Sequence, residues 1–192
     1  MKIFLDTADT SAIEKAYATG IIDGITTNPT LIRKSGRDPE EVYQELIDLG
    51  INDISMEVVG DFNVMFEEGV RLSRKFGKAC TIKVPCTPDG LRVCRELSRD
   101  LVNVNVTLIF SAAQAILAAK SGAKYVSPFV GRVDDNSFVG MDLIEQISDI
   151  YTIQNVGKTE ILSASIRDVK SVSDSFASGA HVVTMPPTVF EK

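Results

Sequence analysis

The stretch VNVNVTLIFSAAQAILAAKSGAKYVSPF, residues 102–129, decides the fold class. An apolar run at 102–109 is followed by an alanine-rich segment that ends at Gly122, and a second apolar run follows at 123–129. The two short runs are typical of buried strands, and the segment between them is typical of a helix that stops at a glycine. Strand, helix and strand in this order favour two parallel strands joined by a crossover helix.

The same alternation continues in both directions to the ends of the chain. Further strands are predicted at residues 2–6, 23–27, 53–58, 79–84, 160–165 and 181–185. Further helices are predicted between a cap at Thr10 and a stop at Gly20, from about Asp38-Pro39, and at 61–76, 88–100, 139–156 and 166–178. Eight strands that alternate with helices imply a parallel sheet, and eight is the number that closes a barrel. The sequence therefore predicts a single α/β domain over residues 1–192, a compact (β/α)8 TIM barrel. The alternative is an open doubly wound sheet, although no G-x-G-x-x-G follows the first strand.

Composition limits the classes of function. Of the 192 residues, 44% are hydrophobic and 24% are charged, which is the profile of one soluble globular domain. No apolar run approaches the roughly 20 residues of a membrane span, and the N-terminus does not read as a signal peptide. We therefore expect a cytoplasmic protein without membrane contact. The formal net charge of -6 argues against a nucleic-acid partner.

The residue types available for catalysis are few. The chain has one histidine, His181, and three cysteines whose spacings match no zinc or redox motif. We therefore expect no metal site and no Ser-His-Asp triad, and we predict no cofactor. Any catalysis must use lysine, carboxylates and hydroxyls.

Polar residues share one parity near the C-terminal ends of seven predicted strands. Together with the aromatic Phe129, which shares their parity, they are Asp6, Thr26, Asn28, Ser55, Glu57, Thr81, Lys83, Asn105, Thr107, Ser127, Ser163 and Ser165. The apolar residues between them suit the helix-facing side: Ile3, Leu5, Ile54, Met56, Val58, Ile82, Val84, Val104, Val106 and Leu108. Strand side chains alternate between faces, and the sites of known barrel enzymes lie at the C-terminal end. Each polar residue alone has an ordinary structural explanation. Seven strands whose polar residues all fall on the same face nevertheless predict a polar pocket.

Lys83 is the expected reactive group of this pocket. Burial of a lysine among apolar neighbours such as Ile82 and Val84 disfavours the ammonium and favours the nucleophilic amine. Asp6 and Glu57, if close and ionised, favour the ammonium. A lysine with two carboxylates and no metal suits imine chemistry on a carbonyl compound, because the carboxylates move protons while the iminium accepts electrons.

Seven motifs together resemble the transaldolase family, in particular its short branch that includes fructose-6-phosphate aldolases. They are FLDTA (4–8), GITTNPTLI (24–32), ISMEV (54–58), TIKVP (81–85), VNVTLIFSAAQA (104–115), SPFVGR (127–132) and LSASIR (162–167). They cover nearly the whole chain in the order of the family. The resemblance implies a barrel of the class I aldolase type.

The resemblance also implies roles for residues of the pocket. Lys83 resembles the lysine that forms a Schiff base, and Asp6 the acid/base for the substrate hydroxyl at the bond that breaks. Glu57 with Thr107 resembles the pair that positions and activates the catalytic water. Six further residues resemble the groups that hold the substrate: Asn28 and Asn105 for the donor hydroxyls and the imine region, Ser127 for the sugar, and Arg132, Ser165 and Arg167 for the phosphate.

Two positions separate the branches of the family by resemblance. Family aldolases carry Gln where this chain has Glu57, and Tyr where it has Phe129. The implied reaction is therefore that of a transaldolase: transfer of a dihydroxyacetone unit from sedoheptulose 7-phosphate or fructose 6-phosphate to an aldose phosphate, in the non-oxidative pentose phosphate pathway. The alternatives are a lyase that releases free dihydroxyacetone from fructose 6-phosphate and, in a different class, a sugar-phosphate-binding barrel without catalysis.

The resemblance extends to assembly. It implies a homo-oligomer, a pentamer or a decamer, with sugar phosphates as the substrates. Family members continue into a C-terminal helix that packs over the site, and we expect this chain, which ends at Lys192, to lack most of that helix.

Overall fold

The computed structural model describes all residues from Met1 to Lys192 and shows a closed barrel of eight parallel strands. The strands are β1 Lys2–Asp6, β2 Gly24–Thr26, β3 Ile54–Glu57, β4 Cys80–Pro85, β5 Asn103–Ile109, β6 Tyr125–Pro128, β7 Glu160–Ser163 and β8 Val182–Met185. Each strand pairs in parallel with its sequence neighbours, and β1 pairs with β8 with Phe4 opposite Thr184. This closure confirms the predicted (β/α)8 barrel and excludes the open doubly wound sheet.

Ten α-helices surround the barrel or follow its strands. They are α1 Thr10–Tyr17, α2 Pro29–Ser35, α3 Pro39–Asp48, α4 Phe62–Phe76, α5 Pro88–Arg99, α6 Ala112–Lys120, α7 Val130–Asp134, α8 Gly140–Ile153, α9 Val169–Ala177 and α10 Pro187–Phe190. None of these helices is both long enough and apolar enough to span a lipid bilayer.

The predicted start of α1 was wrong by one residue. Thr10 is the first residue of the helix, and the cap is Asp9, whose carboxylate accepts hydrogen bonds from the backbone N–H groups of Ser11 and Ala12 at 3.1 and 3.2 Å. A carboxylate at this position satisfies two of the free N–H groups of the first turn and carries the charge that the helix dipole favours. Asp38 caps α3 in the same way, as its Asp-Pro sequence predicts.

Three short helices, α2, α7 and α10, were not predicted. Each follows a strand directly, after β2, β6 and β8, and so lies at the C-terminal end of the barrel. They have 7, 5 and 4 residues, which is too short for a hydrophobic period to appear in the sequence. The start of α2 nevertheless has a local signal, because Asn28 precedes Pro29 and its side-chain oxygen accepts from the N–H of Leu31 at 3.0 Å.

The middle of the barrel interior is filled by a small apolar cluster. Phe4, Tyr125, Leu162 and Val182 are all fully buried there, and the rings of Phe4 and Tyr125 meet edge to face with their centroids 5.8 Å apart. Gly24 makes room for this layer, because a Cβ at Gly24 would lie 2.6 Å from Cζ of Phe4. The packed layer closes the barrel below the site.

The N-terminal end of the interior is closed by paired polar groups. The carboxylate of Asp53 accepts hydrogen bonds from Thr81 Oγ1 at 2.8 Å, Lys124 Nζ at 2.7 Å and the Tyr125 hydroxyl at 2.8 Å. Burial and the Asp53 charge raise the pKa of Tyr125 far above its usual range. With this end filled, the interior is accessible from the C-terminal end.

Candidate active site

A cavity of about 480 Å³ opens at the C-terminal end of the barrel. It brings together nine of the residues that the sequence marks as site residues: Asp6, Asn28, Glu57, Lys83, Thr107, Ser127, Phe129, Arg132 and Ser165. They come from β1 and from β3 to β6, from the start of α2, from α7 and from the segment after β7. The structure therefore places residues that are distant in sequence around one space.

Lys83, on β4, lines the cavity and is 6% exposed. Strand register sets Lys83 opposite Glu57, and Nζ lies 3.0 Å from Oε2 of Glu57. Nζ also donates a hydrogen bond to the backbone carbonyl of Thr27 at 2.9 Å. The carboxylate of Glu57 is therefore in direct contact with Nζ and is placed to take a proton from it.

Asp6 is a second carboxyl group on the cavity wall, at the end of β1. Burial raises its pKa, while the positive charge of Lys83 and a hydrogen bond from Thr26 act in the opposite direction. A carboxyl group with a raised pKa exchanges a proton more easily near neutral pH than an ordinary aspartate does. The environment of Asp6 thus suits a general acid or base.

Thr107 carries a buried hydroxyl that bonds to no other protein group. The residue is 1% exposed, lines the cavity, and has no hydrogen-bond partner for Oγ1. Leaving a buried hydroxyl without a partner costs about 1–3 kcal/mol. Such a group in a cavity wall points to a partner in a bound molecule or water.

Asn105 lies just beneath the cavity instead of lining it. It is fully buried; its side-chain oxygen accepts from the Ser127 hydroxyl at 2.7 Å, and its amide nitrogen donates to Ser55 Oγ at 3.2 Å. These two bonds fix which end of the amide faces each neighbour. One N–H of Asn105 stays available for a further contact.

The phosphate-binding residues expected from the sequence divide into two groups. Arg132 and Ser165 line the cavity, but Arg167 does not. The guanidinium of Arg167 instead forms a bidentate ion pair with Asp135 on the exposed rim, and this pair lowers the pKa of Asp135. Gly131 contacts both Ser165 and Arg167. Its N–H donates to the carbonyl of Ser165 at 3.2 Å, and a Cβ at Gly131 would lie 2.8 Å from Nε of Arg167.

Two predictions of side-chain direction were wrong. Leu108 was assigned to the helix side, but it lines the cavity. Pairing of β5 with β6 shifts in register between Val106 and Ile109, and Leu108 has φ 60°. Such a bulge breaks the period of two and turns an apolar side chain inward.

The second error concerns Ser163 on β7. Its hydroxyl lies 2.9 Å from Ser175 Oγ on α9, so it faces the helices, while Leu162 and Ala164 line the cavity. Ser165 reaches the cavity for a different reason from the predicted parity: it lies beyond the end of β7 and has φ 61°. A hydroxyl buried against a helix hydroxyl looks the same in sequence as one in a pocket.

Sequence reasoning also missed cavity residues. Thr184 on β8 lines the cavity, as do Pro29, Thr30 and Leu31 at the start of α2. A signal for Thr184 was present in the sequence: it is the one hydroxyl residue in the apolar run HVVTM, residues 181–185. It lies two residues after Val182, which faces the barrel interior, and so takes the same face of β8. The α2 residues belong to a helix that the sequence did not predict.

The fold and the cavity together are those of a (β/α)8-barrel enzyme, and comparison with known proteins gives the family. The sequence profile described as Transaldolase/Fructose-6-phosphate aldolase matches residues 3–192. Among similar proteins, a probable transaldolase of Nitrosopumilus maritimus is 51% identical over 193 residues, which cover 100% of this chain and 86% of that protein. Probable transaldolases of Paracoccus denitrificans and of Ruegeria are 51% and 50% identical, each over 100% of this chain and 88% of the relative. The chain belongs to the transaldolase/fructose-6-phosphate aldolase family, and it is an enzyme of transaldolase type.

Proposed function

We propose that the protein is a transaldolase that moves a dihydroxyacetone unit from sedoheptulose 7-phosphate or fructose 6-phosphate to an aldose phosphate, as a step of the non-oxidative pentose phosphate pathway. The observation that carries the proposal is the buried Lys83–Glu57 pair, 3.0 Å apart, in a cavity whose wall includes Asp6. A nucleophilic amine with two carboxyl groups is the set that imine chemistry needs.

The first half of the reaction forms the covalent intermediate. Glu57 takes a proton from Lys83, and the neutral amine attacks the C2 carbonyl of the donor ketose. The resulting carbinolamine loses water as Glu57 returns the proton to the leaving hydroxyl. The product is an iminium between Nζ and C2, in which the carbonyl oxygen has left as water.

The second half breaks and remakes a carbon–carbon bond. Asp6 accepts the proton of the C4 hydroxyl, the C3–C4 bond breaks, and its electron pair moves into the iminium to give an enamine. The aldose phosphate leaves with a new carbonyl at the former C4. An acceptor aldehyde then enters, the enamine carbon attacks it, and Asp6 returns its proton to the new alkoxide. Water, positioned by Glu57 and Thr107, finally hydrolyses the iminium.

The remaining site residues hold the substrate in this scheme. Asn28, Asn105 and Ser127 supply amide and hydroxyl groups for the donor hydroxyls and the imine region. The side chain of Asn28 is fixed by its bond to Leu31 N–H, which leaves its amide nitrogen free to donate. Arg132 and Ser165 bind the phosphate, with Arg167 at the rim, because a guanidinium matches phosphate oxygens.

Transfer instead of cleavage is supported by Phe129. Its ring lines the cavity and meets the ring of Phe110 edge to face, with the centroids 5.8 Å apart. An apolar ring at this place cannot order the water that would protonate and release the enamine. The competing function is a fructose-6-phosphate aldolase, which releases dihydroxyacetone.

Borohydride trapping tests the covalent step. With fructose 6-phosphate, reduction is expected to add the mass of the reduced sugar to the wild-type protein, at the peptide that contains Lys83. Lys83→Ala should abolish the adduct, whereas Lys158→Ala, at an exposed lysine, should leave it unchanged. Undiminished trapping in Lys83→Ala would refute the assignment.

We infer further that the enzyme is a cytoplasmic homo-oligomer, a pentamer or a decamer. Exposed apolar side chains beside the cavity mouth support an interface, since Phe110, Phe138 and Val139 are 45%, 72% and 59% exposed. Light scattering after size exclusion measures the assembly, and a monomer at all concentrations would contradict it.

A further inference from the structure

Two threonines that have no part in the reaction scheme contact Asp6 directly or through each other. Thr26 Oγ1 lies 2.8 Å from Oδ1 of Asp6 and 2.7 Å from Oγ1 of Thr184. Both threonines line the cavity, and they are 2% and 3% exposed. The three side chains come from adjacent strands, because β1 lies between β2 and β8.

Counting protons gives this contact a direction. The Thr26 hydroxyl has one proton and two oxygens within reach. An ionised Asp6 can only accept, so Thr26 must donate to it, and Thr184 must then donate to Thr26. The one hydrogen bond from the protein to the Asp6 carboxylate is this bond from Thr26 to Oδ1, so Oδ2 receives none.

We propose that Thr26 and Thr184 are positioning residues that select which oxygen of Asp6 exchanges the proton with the substrate. This hydrogen-bond relay runs from Thr184 to Thr26 to Oδ1 of Asp6. Because Oδ1 already accepts a hydrogen bond, the incoming proton bonds to Oδ2, to which no protein group donates. In the cleavage direction the substrate O–H bond breaks and the Oδ2–H bond forms; in the transfer direction the same proton returns to the new alkoxide.

The hydrogen bonds from Thr184 to Thr26 and from Thr26 to Asp6 also affect how readily Asp6 ionises. Burial raises the pKa of Asp6, the charge of Lys83 on β4 lowers it, and the Thr26 hydrogen bond lowers it further. The other charged groups of the cavity are Glu57 on β3, which is paired with Lys83, and Arg132 on α7. The role of Asp6 in proton transfer rests on the proposed function, but its hydrogen bonds do not.

Titration of Asp6 by NMR, with aspartate labelled at the carboxyl carbon, tests these two hydrogen bonds in the free protein. Thr26→Val should raise the pKa of Asp6 by roughly one to two units, the size expected for a lost hydrogen bond to a charged group. Thr184→Val should raise it by a smaller amount, because Thr26 can still donate. Thr26→Ser should leave it within a few tenths of a unit of wild type.

Thr81→Val is the matched control, since it removes a buried hydroxyl that bonds to Asp53 at the opposite end of the barrel. The acid limb of kcat/KM should move with the NMR value in each variant. A Thr26→Val shift no larger than that of Thr81→Val, or no shift in Thr184→Val, would overturn the proposal. Wild-type protein that neither traps a sugar at Lys83 nor transfers it would instead overturn the proposed function. The NMR titration would still show whether Thr184 and Thr26 act on Asp6 through their hydrogen bonds.

Discussion

Replacing Thr107 with valine should make the protein more stable and much less active. Valine keeps the branched shape of threonine and replaces only the hydroxyl, which is buried and bonds to no other protein group. An unsatisfied buried hydroxyl costs about 1–3 kcal/mol. We therefore expect Thr107→Val to raise the free energy of unfolding by about 1–2 kcal/mol.

Thermal and urea unfolding measure the gain. In a chain of this size each kcal/mol moves Tm by about 2–4 °C. The transfer rate from fructose 6-phosphate to erythrose 4-phosphate should fall by about 100-fold, because the variant no longer orders the water that Glu57 activates. A more stable and less active variant is the expected sign of a group kept for function.

Thr159→Val is the matched control. Thr159 is also buried, at 4% exposed against 1% for Thr107, but its hydroxyl donates to the carbonyl of Ala123 at 2.7 Å. Its loss should lower the free energy of unfolding by about 1 kcal/mol, with little effect on turnover. If Thr107→Val were as destabilised as Thr159→Val, the hydroxyl of Thr107 would be satisfied in the free protein and the reasoning would fail.

Three further predictions concern the substrate and the reaction. Arg132→Ala should weaken phosphorylated donors by about ten- to hundredfold while sparing unphosphorylated fructose, as steady-state kinetics can measure; an equal loss for both would place the phosphate elsewhere. Exhaustive chelation should leave the transfer rate unchanged, and a loss restored by zinc would overturn the lysine mechanism. Phe129→Tyr should raise the release of dihydroxyacetone from fructose 6-phosphate and lower transfer, whereas Phe129→Leu should not raise release; wild type that hydrolyses as fast as it transfers would be an aldolase.

The sequence predicted the barrel because each strand repeats the same alternation. A strand that is packed by helices on one face and by its barrel neighbours on the other shows period two wherever the interior is polar, as at Thr81 and Lys83. The prediction failed where the backbone leaves the strand geometry. Leu108 and Ser165 both have positive φ, and no property of a leucine or a serine signals such a conformation.

Short helices at the C-terminal end were the second gap. α2 and α7 carry or position Asn28, Arg132 and Phe129, and both are too short to show a hydrophobic period. α7 packs against α8, and the N–H groups of Val130 and Gly131 donate to the carbonyls of Ala164 and Ser165 after β7. Gly140, at the start of α8, shows the same dependence, since a Cβ there would lie 2.6 Å from the carbonyl of Val130. Packing of this kind is determined by distant parts of the chain and cannot be read from a local pattern.

The two ends of the barrel interior differ in how their polar groups are satisfied, and this difference identifies the working end. At the N-terminal end the carboxylate of Asp53 has three donors, so every group there is used by the fold itself. At the C-terminal end no protein group bonds to the Thr107 hydroxyl, and the protein donates to only one oxygen of Asp6. Alternation in sequence marks both ends alike, because it reports only which face a side chain takes. Whether buried polar groups find hydrogen-bond partners within the protein separates a structural network from a site that completes its hydrogen bonds on a substrate.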